Sequence, residues 1–347
     1  MNRLLFLLRR REDYNAIMHS EIGLSTGLYN SAKFVTDMLN DELVIDATIK
    51  VCIDANCIDR MVTKYRPTVC ILEALWVPPT KLTELVNLHP SIKWILRLHS
   101  EMPFMANEGI AMDWITEYAK HKNVAIGINA PRMLREVDVY LNTIGLINKT
   151  VYLPNYYTQQ YKSVKKIQDS KFIDISCFGA IRPMKNHMVQ AIAAIEFAER
   201  IGRKLRFHIN AGRIEMKGDP VLHNLQAMFL HLYEKGHRLI MQQWTPQDQF
   251  LNICSKIDIG MQVSFSETFN IVSADLISQG VPIVGSREIP WLSRLLIHPE
   301  PTESDQIAKA LYDAYKHPRL NVWLNQRALT NYTNKTKKIW QKTFGEQ

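Results

Sequence analysis

Ser266-Glu267-Thr268-Phe269-Asn270-Ile271-Val272-Ser273-Ala274-Asp275-Leu276-Ile277-Ser278-Gln279-Gly280-Val281-Pro282-Ile283-Val284 decides how the rest of the chain is read. Phe269, Ile271, Val272, Leu276 and Ile277 recur at helical spacing, Gly280 supplies a C-terminal stop, and Val281–Val284 follows as an apolar strand. A helix running straight into such a strand is the repeating unit of a parallel α/β sheet. Glu267 and Asp275 lie eight positions apart, about 80° around an α-helix and roughly 12 Å along it, so both can face one elongated ligand. Between them the expected helix start offers the backbone N–H groups of Thr268, Phe269 and Asn270, a site suited to a diphosphate. A nucleotide-sugar has that layout, with hydroxyls at each end and two phosphates in the middle.

Working outward, 347 residues suffice for two domains, and 46% hydrophobic with 22% charged residues is an ordinary globular composition. Leu4–Leu8 is a five-residue apolar run followed by Arg9, Arg10 and Arg11. It is too short for a signal-peptide core or a membrane span and reads as a first buried strand. The five cysteines are odd in number and form no C-x-x-C pair, so neither a disulfide framework nor a zinc site is expected, and a reducing, cytoplasmic setting follows. A net charge of +8 favours an acidic partner: nucleic acid, an anionic membrane face or the nucleotide itself.

Short apolar runs alternate with helical-period segments throughout. In the first half, strands are expected at Leu4–Leu8, Ala47–Val51, Thr68–Leu72, Trp94–Leu98, Val124–Ile128 and Val151–Leu153. Helices are expected at 26–40, 55–65, 79–88, 107–120 and 131–142, the last starting on Pro131. After the polar stretch Thr158–Ser170 the pattern begins afresh, with strands at Ile173–Phe178, Leu205–Ile209, Leu239–Met241, Ile257–Met261 and Val281–Val284. Helices are expected there near 185–200, 220–235, 247–255, 269–279 and 304–316, and a terminal helix at about 320–343. This predicts an α/β chain of two Rossmann-like domains, 1–157 and 158–319, with 320–347 as a closing helix.

The Glu267–Asp275 segment resembles the Glu-x7-Glu signature of the GT-B glycosyltransferases, in particular the retaining group known as glycosyltransferase family 4, with Asp in place of the second Glu. The resemblance implies two Rossmann-like domains facing across a cleft, an N-terminal one for the acceptor and a C-terminal one for the nucleotide-sugar, with the terminal helix returning to the first domain. It implies that Glu267 contacts the transferred sugar and Asp275 the ribose.

Doubly wound sheets bind ligands in the loops beyond the carboxyl ends of their strands, and further parts of the resemblance fall there. Gly23-Leu24-Ser25-Thr26-Gly27 is a glycine-containing loop before a helix, and the family places such a loop beside the donor, which brings in Gly23 and Gly27. Arg97-Leu98-His99-Ser100-Glu101-Met102-Pro103 is similar to the family's His-x-x-x-Pro loop, whose His reaches the donor sugar; this makes His99 a catalytic candidate, with Glu101 as a neighbouring acid for the acceptor. In Phe178-Gly179-Ala180-Ile181-Arg182-Pro183-Met184-Lys185-Asn186, Lys185 matches the family lysine, six residues after the Gly, that faces the diphosphate. The arginine expected beside the Gly is Ala180 here, and Arg182 stands two residues later. Fixed cations are suited to a departing nucleoside diphosphate, whose negative charge grows in the transition state. Pro154-Asn155 resembles the turn that ends the first domain, and Trp244 after a strand is placed to border the base.

The reading is therefore a glycosyltransferase, retaining and metal-independent by resemblance, taking a nucleotide-sugar, a UDP-sugar being favoured, with no bound cofactor and no Asp-x-Asp metal motif. For the acceptor, Arg9, Arg10, Arg11, Arg132 and Arg135 near strand ends favour double-stranded DNA carrying a hydroxymethylated pyrimidine, with the base flipped out for reaction. The compact size and the basic-loop variant also look similar to phage-encoded GT-B enzymes, some of which modify DNA. A polysaccharide or lipid-linked glycan, with peripheral membrane contact, is the competing acceptor. A non-enzymatic nucleic-acid-binding protein on a degenerate Rossmann pair is the alternative of another class.

Overall fold

The computed structural model of the chain describes residues 2–10, 26–164, 167 and 170–345. These form two compact units, Met1–Thr158 with Thr333–Gln347, and Gln159–Tyr332. Gly23 and Arg11 from the sequence reading lie outside the described residues.

In the first unit the strands are β1 (Arg3–Arg9), β2 (Asp46–Cys52), β3 (Val69–Glu73), β4 (Lys93–Leu98), β5 (Val124–Ile128) and β6 (Thr150–Tyr152). They pair in parallel in the order β2-β1-β3-β4-β5-β6. Continuous apolar runs such as Leu4–Leu8 arise because such strands are covered on both faces. The crossovers are α1 (Thr26–Asp41), α2 (Cys57–Tyr65), α3 (Pro79–Leu88), α4 (Met102–Met105), α5 (Ala111–Ala119) and α6 (Pro131–Thr143). Proline within the first turn begins α3 and α6, where its missing N–H costs nothing. The single helix expected over 107–120 is instead split into α4 and α5, with residues 106–110 forming the turn between them.

The second unit holds β7 (Phe172–Cys177), β8 (Lys204–Asn210), β9 (Arg238–Gln242), β10 (Ile259–Gln262) and β11 (Ile283–Gly285), parallel in the order β11-β10-β7-β8-β9. Its helices are α7 (His187–Arg200), α8 (Gly218–His231), α9 (Gln247–Cys254), α10 (Ile271–Ser278) and α11 (Ser304–Lys316). Gly280 ends α10 with φ +74°, and a Cβ there would stand 2.1 Å from the Ser163 carbonyl oxygen, so no other residue fits. Both chain orders reverse direction beside the first strand of the sheet, between β1 and β3 and between β7 and β10. Such switch points are where a doubly wound sheet opens a crevice for ligand.

The last helix, α12 (Pro318–Phe344), contributes residues to both units. In the second, Asn321 accepts from the Ile283 amide at 2.9 Å and donates to the Ile283 carbonyl at 3.0 Å, capping the edge strand β11. In the first, Trp340 is fully buried, packs at 6.0 Å against Phe6 and donates to the Pro154 carbonyl at 2.9 Å.

Candidate active site

At the switch point of the second sheet, the loop after β7 carries Gly179, Arg182 and Lys185, and the loop after β10 carries Glu267. Lys185 Nζ donates to Glu267 Oε1 at 2.5 Å, with both side chains less than a tenth exposed. Gln262 holds the pair in place: its Oε1 lies 3.5 Å from Lys185 Nζ and accepts from Asn270 Nδ2 at 2.8 Å, while its Nε2 donates to the Phe178 carbonyl at 2.8 Å. Gly179 has φ +113°, and a Cβ there would meet Lys185 Cε at 3.4 Å, so the glycine accommodates both the turn and the lysine stem. Burial opposes ionisation of Glu267. The charges of Lys185 and Arg182 and hydrogen bonds from Lys185 and Ser264 outweigh it and hold the carboxyl below the usual carboxylate range. An ionised carboxylate and an ammonium are thus kept together in a nearly dry setting, where each interacts strongly with any charge that develops nearby.

The helix start differs from the sequence expectation. Asn270 adopts a left-handed conformation, φ 60° and ψ 80°, and its side chain accepts from the Ser273 amide at 2.8 Å, so α10 begins at Ile271. Glu267, Thr268 and Phe269 stand in the preceding loop, and the helical spacing expected between Glu267 and Asp275 does not apply. Phe269 is a packing residue, buried against Trp291 and Tyr332, and its carbonyl accepts from Trp291 Nε1 at 2.6 Å. Its apolar side chain imitates helical periodicity from outside the helix. Asp275 does lie on α10, is 2% exposed and accepts from Gln247 Nε2 at 2.6 Å. Arg182 pairs with Glu215 at 3.4 Å, and the same carboxylate also binds Arg213.

A second polar cluster sits at the carboxyl ends of β3, β4 and β5. Register brings Glu73 opposite Arg97, and both side chains are completely buried. Arg97 donates from Nη1 to Glu73 Oε1 at 3.0 Å, from Nε to the Leu153 carbonyl at 3.0 Å and from Nη2 to Asn155 Oδ1 at 2.6 Å. The other Glu73 oxygen accepts a hydrogen bond from His99 Nε2. Burial lowers the His99 pKa, Glu73 raises it and Arg97 lowers it again, leaving it below the ordinary histidine value. His99 is therefore neutral near pH 7 with its proton on Nε2, and Nδ1 is the acceptor, facing Asn129 Nδ2 at 3.4 Å. Glu73, Asn129 and the role of Asn155 here were missed by sequence reasoning. An isolated Glu at the end of an apolar strand was the available signal.

Glu101 is 4% exposed and accepts from Arg132 Nε at 3.0 Å, so it is a buried ion-pair member and not an exposed loop acid. Arg9, Arg10 and Arg135 are exposed, and Gly27 lies in the first turn of α1. Among the described residues no group of three or more His, Cys, Asp or Glu side chains is arranged to hold a metal ion, and no helix is long and apolar enough to cross a membrane.

His187, the first residue of α7, is buried, and desolvation reinforced by the Lys185 and Arg182 charges brings its pKa down to about 3. A histidine depressed in the folded state contributes stability that is complete above its unfolded value of about 6.5 and is lost as pH falls toward about 3. Glu73 and Glu267, also depressed, lose their contributions as pH falls through and below the ordinary carboxylate range. Acidification from about pH 6.5 is accordingly expected to lower the melting temperature, the first part through histidine. His187→Gln should flatten the segment between about pH 6.5 and 5 relative to wild type; parallel curves for the two proteins in that segment would refute the assignment.

No protein-family model and no curated protein matches the chain. Solved structures do. Anabaena Alr3699/HepE, determined with UDP and glucose, superposes with a TM-score of 0.67 at 11% identity over 99% of this chain and 98% of that one. The N-terminal domain of Candida albicans trehalose-6-phosphate phosphatase gives 0.69 at 10% identity over 99% and 96%. A mutant of S. aureus TarM, determined with fondaparinux, alpha-GlcNAc-glycerol and UDP, gives 0.59 at 13% identity over 80% of this chain and 55% of its own length. Two parallel-sheet α/β units matched at this level give the chain the GT-B fold.

Proposed function

We propose that the chain is a glycosyltransferase that moves a sugar from a nucleoside diphosphate sugar to an acceptor hydroxyl. The observation that carries this reading is the buried Lys185–Glu267 pair at the switch point of the second sheet, on a fold whose solved examples include UDP complexes. In the reaction the acceptor oxygen bonds to the anomeric carbon, the bond from that carbon to the β-phosphate oxygen breaks, and the acceptor proton passes to the departing phosphate. Same-face attack gives retention and needs no separate general base. Lys185, with Arg182 released from Glu215, takes up the charge that grows on the diphosphate. Glu267 orients the lysine and faces the sugar, and neutral His99 is the first unit's polar candidate for the sugar hydroxyls. Two cations do the work that a metal does elsewhere, so transfer is expected to persist in chelator. Five unpaired thiols suit a reducing, cytoplasmic compartment.

A screen of nucleotide-sugars for thermal stabilisation, followed by release of nucleoside diphosphate from the best donor, tests the reading. Neither stabilisation nor release with any donor would leave a non-enzymatic nucleic-acid-binding protein as the better account.

The finer reading of the acceptor is a hydroxymethylated pyrimidine in double-stranded DNA. It is supported by exposed Arg9 and Arg10 at the end of β1, by exposed Arg135 and by Arg132, whose side chain is 39% exposed despite its pair with Glu101. Neutralising Arg9 with Arg10, or Arg132 with Arg135, should weaken duplex binding and reduce its salt dependence by about one unit of log–log slope for each phosphate that the wild-type arginines neutralise. Donor binding should be unchanged. Negligible duplex binding at low salt, or unaltered binding by the variants, would turn the assignment to a glycan or lipid-linked acceptor.

A further inference from the structure

The loop after β9 runs through Gln243, Trp244, Thr245 and Pro246 into α9, whose first residue is Gln247. This loop lies at the carboxyl edge of the same sheet as Lys185 and Glu267, and α9 reaches the end of β7 through the edge-to-face contact of Phe250 with Phe178 at 5.3 Å. Packing alone does not account for two polar features there. Asp275 is a carboxylate 2% exposed on α10, and it accepts from the carboxamide of Gln247 at 2.6 Å. The Thr245 hydroxyl is buried and meets no hydrogen-bond partner. A buried orphan hydroxyl costs free energy, which a ligand group recovers when it binds there.

An ionised carboxylate only accepts hydrogen bonds, so it selects the NH₂ end of the amide and turns the carbonyl Oε1 of Gln247 the other way. The amide is thereby set as an acceptor, and a sugar hydroxyl is a donor that matches it. The short aspartate side chain ends at Gln247, so the glutamine carries the polar surface of the pair outward from α10.

Resting on the donor reading above, we propose that Gln247 reads a ribose hydroxyl of the nucleotide, with Asp275 as the positioning residue that fixes its amide and Thr245 as a second contact. Discrimination between ribo- and 2′-deoxyribonucleotide thus belongs to the loop after β9. A site built to bond a hydroxyl rejects the analogue lacking it, because its own polar groups are then left unpaired.

Titration calorimetry of the full chain with UDP and with 2′-deoxy-UDP tests this. Wild type is expected to prefer UDP by about tenfold or more, the difference made by one hydrogen bond to a buried polar group. Gln247→Ala should bring the ratio toward one while leaving 2′-deoxy-UDP affinity within about twofold, a pattern that general damage to the site does not produce. Asp275→Asn should also erode the ratio, since an amide partner no longer dictates which end of Gln247 faces it. If Asp275→Asn misfolds, Gln247→Ala decides alone. Equal binding of the two nucleotides by wild type, or an unchanged ratio in Gln247→Ala, overturns this inference and leaves the donor reading standing. Binding of neither nucleotide overturns both.

Discussion

Lys185→Ala is expected to lower kcat for sugar transfer by about 10²–10³-fold, the cost of removing one preorganised electrostatic contact to a charge that develops in the transition state. It should also destabilise the second unit by about 3–5 kcal/mol, because Glu267, 8% exposed, is left as a carboxylate without its counter-ion. The two effects separate in a double-mutant cycle. Lys185→Met with Glu267→Gln restores much of the stability, since no buried charge is then uncompensated, and restores none of the transfer. Denaturant unfolding and single-turnover transfer measured on the wild type, the two singles and the double provide the four corners. A double variant that regains transfer would show that the pair is a structural ion pair without a part in the chemistry. Loss of activity with full retention of stability in Lys185→Ala would instead show that water reaches the carboxylate and that the site is less dry than its burial implies.

Glu73→Gln is expected to have the larger structural effect, again about 3–5 kcal/mol, because the Arg97 guanidinium beside it is fully buried and is left without its carboxylate. The carbonyl of Leu153 and the amide of Asn155 remain as hydrogen-bond acceptors, but neither carries charge. His99 changes as well. The acceptor that fixes its proton on Nε2 is weakened, so the ring is no longer confined to one tautomer and transfer activity falls beyond what unfolding accounts for. Amide hydrogen exchange on β3 and β4 measures the local stability, and the pH profile of transfer reports the histidine. Protection factors equal to wild type would refute the energetic assignment. An unshifted pH profile in a folded variant would refute the coupling of Glu73 to His99.

The positions of Lys185, Glu267 and His99 are legible in the sequence because each follows an apolar run whose end is plain, and the direction of a parallel sheet puts every such end on one edge of its sheet. What stays hidden is a role that a residue acquires from a neighbour on another element. Glu73 and Arg97 are 24 positions apart and meet through the pairing of β3 with β4; Gln247 and Asp275 are 28 apart and meet through the packing of α9 on α10. The sequence points to Arg182 by its nearness to a family position, yet its geometry is set by Glu215 on another loop, which no local pattern announces.

Strand and helix positions were legible because burial on both faces demands uninterrupted apolar runs such as Leu4–Leu8 and Val69–Leu72, and because proline and glycine mark ends by backbone sterics alone. Those are local constraints, written residue by residue. The start of α10 at Ile271, the break between α4 and α5, and the ion pairs Glu73–Arg97 and Lys185–Glu267 depended on tertiary contact. A left-handed Asn270, a Phe269 held by Trp291 and a charge that stays ionised away from water are each costly in isolation, and only partners brought from distant parts of the chain offset that cost.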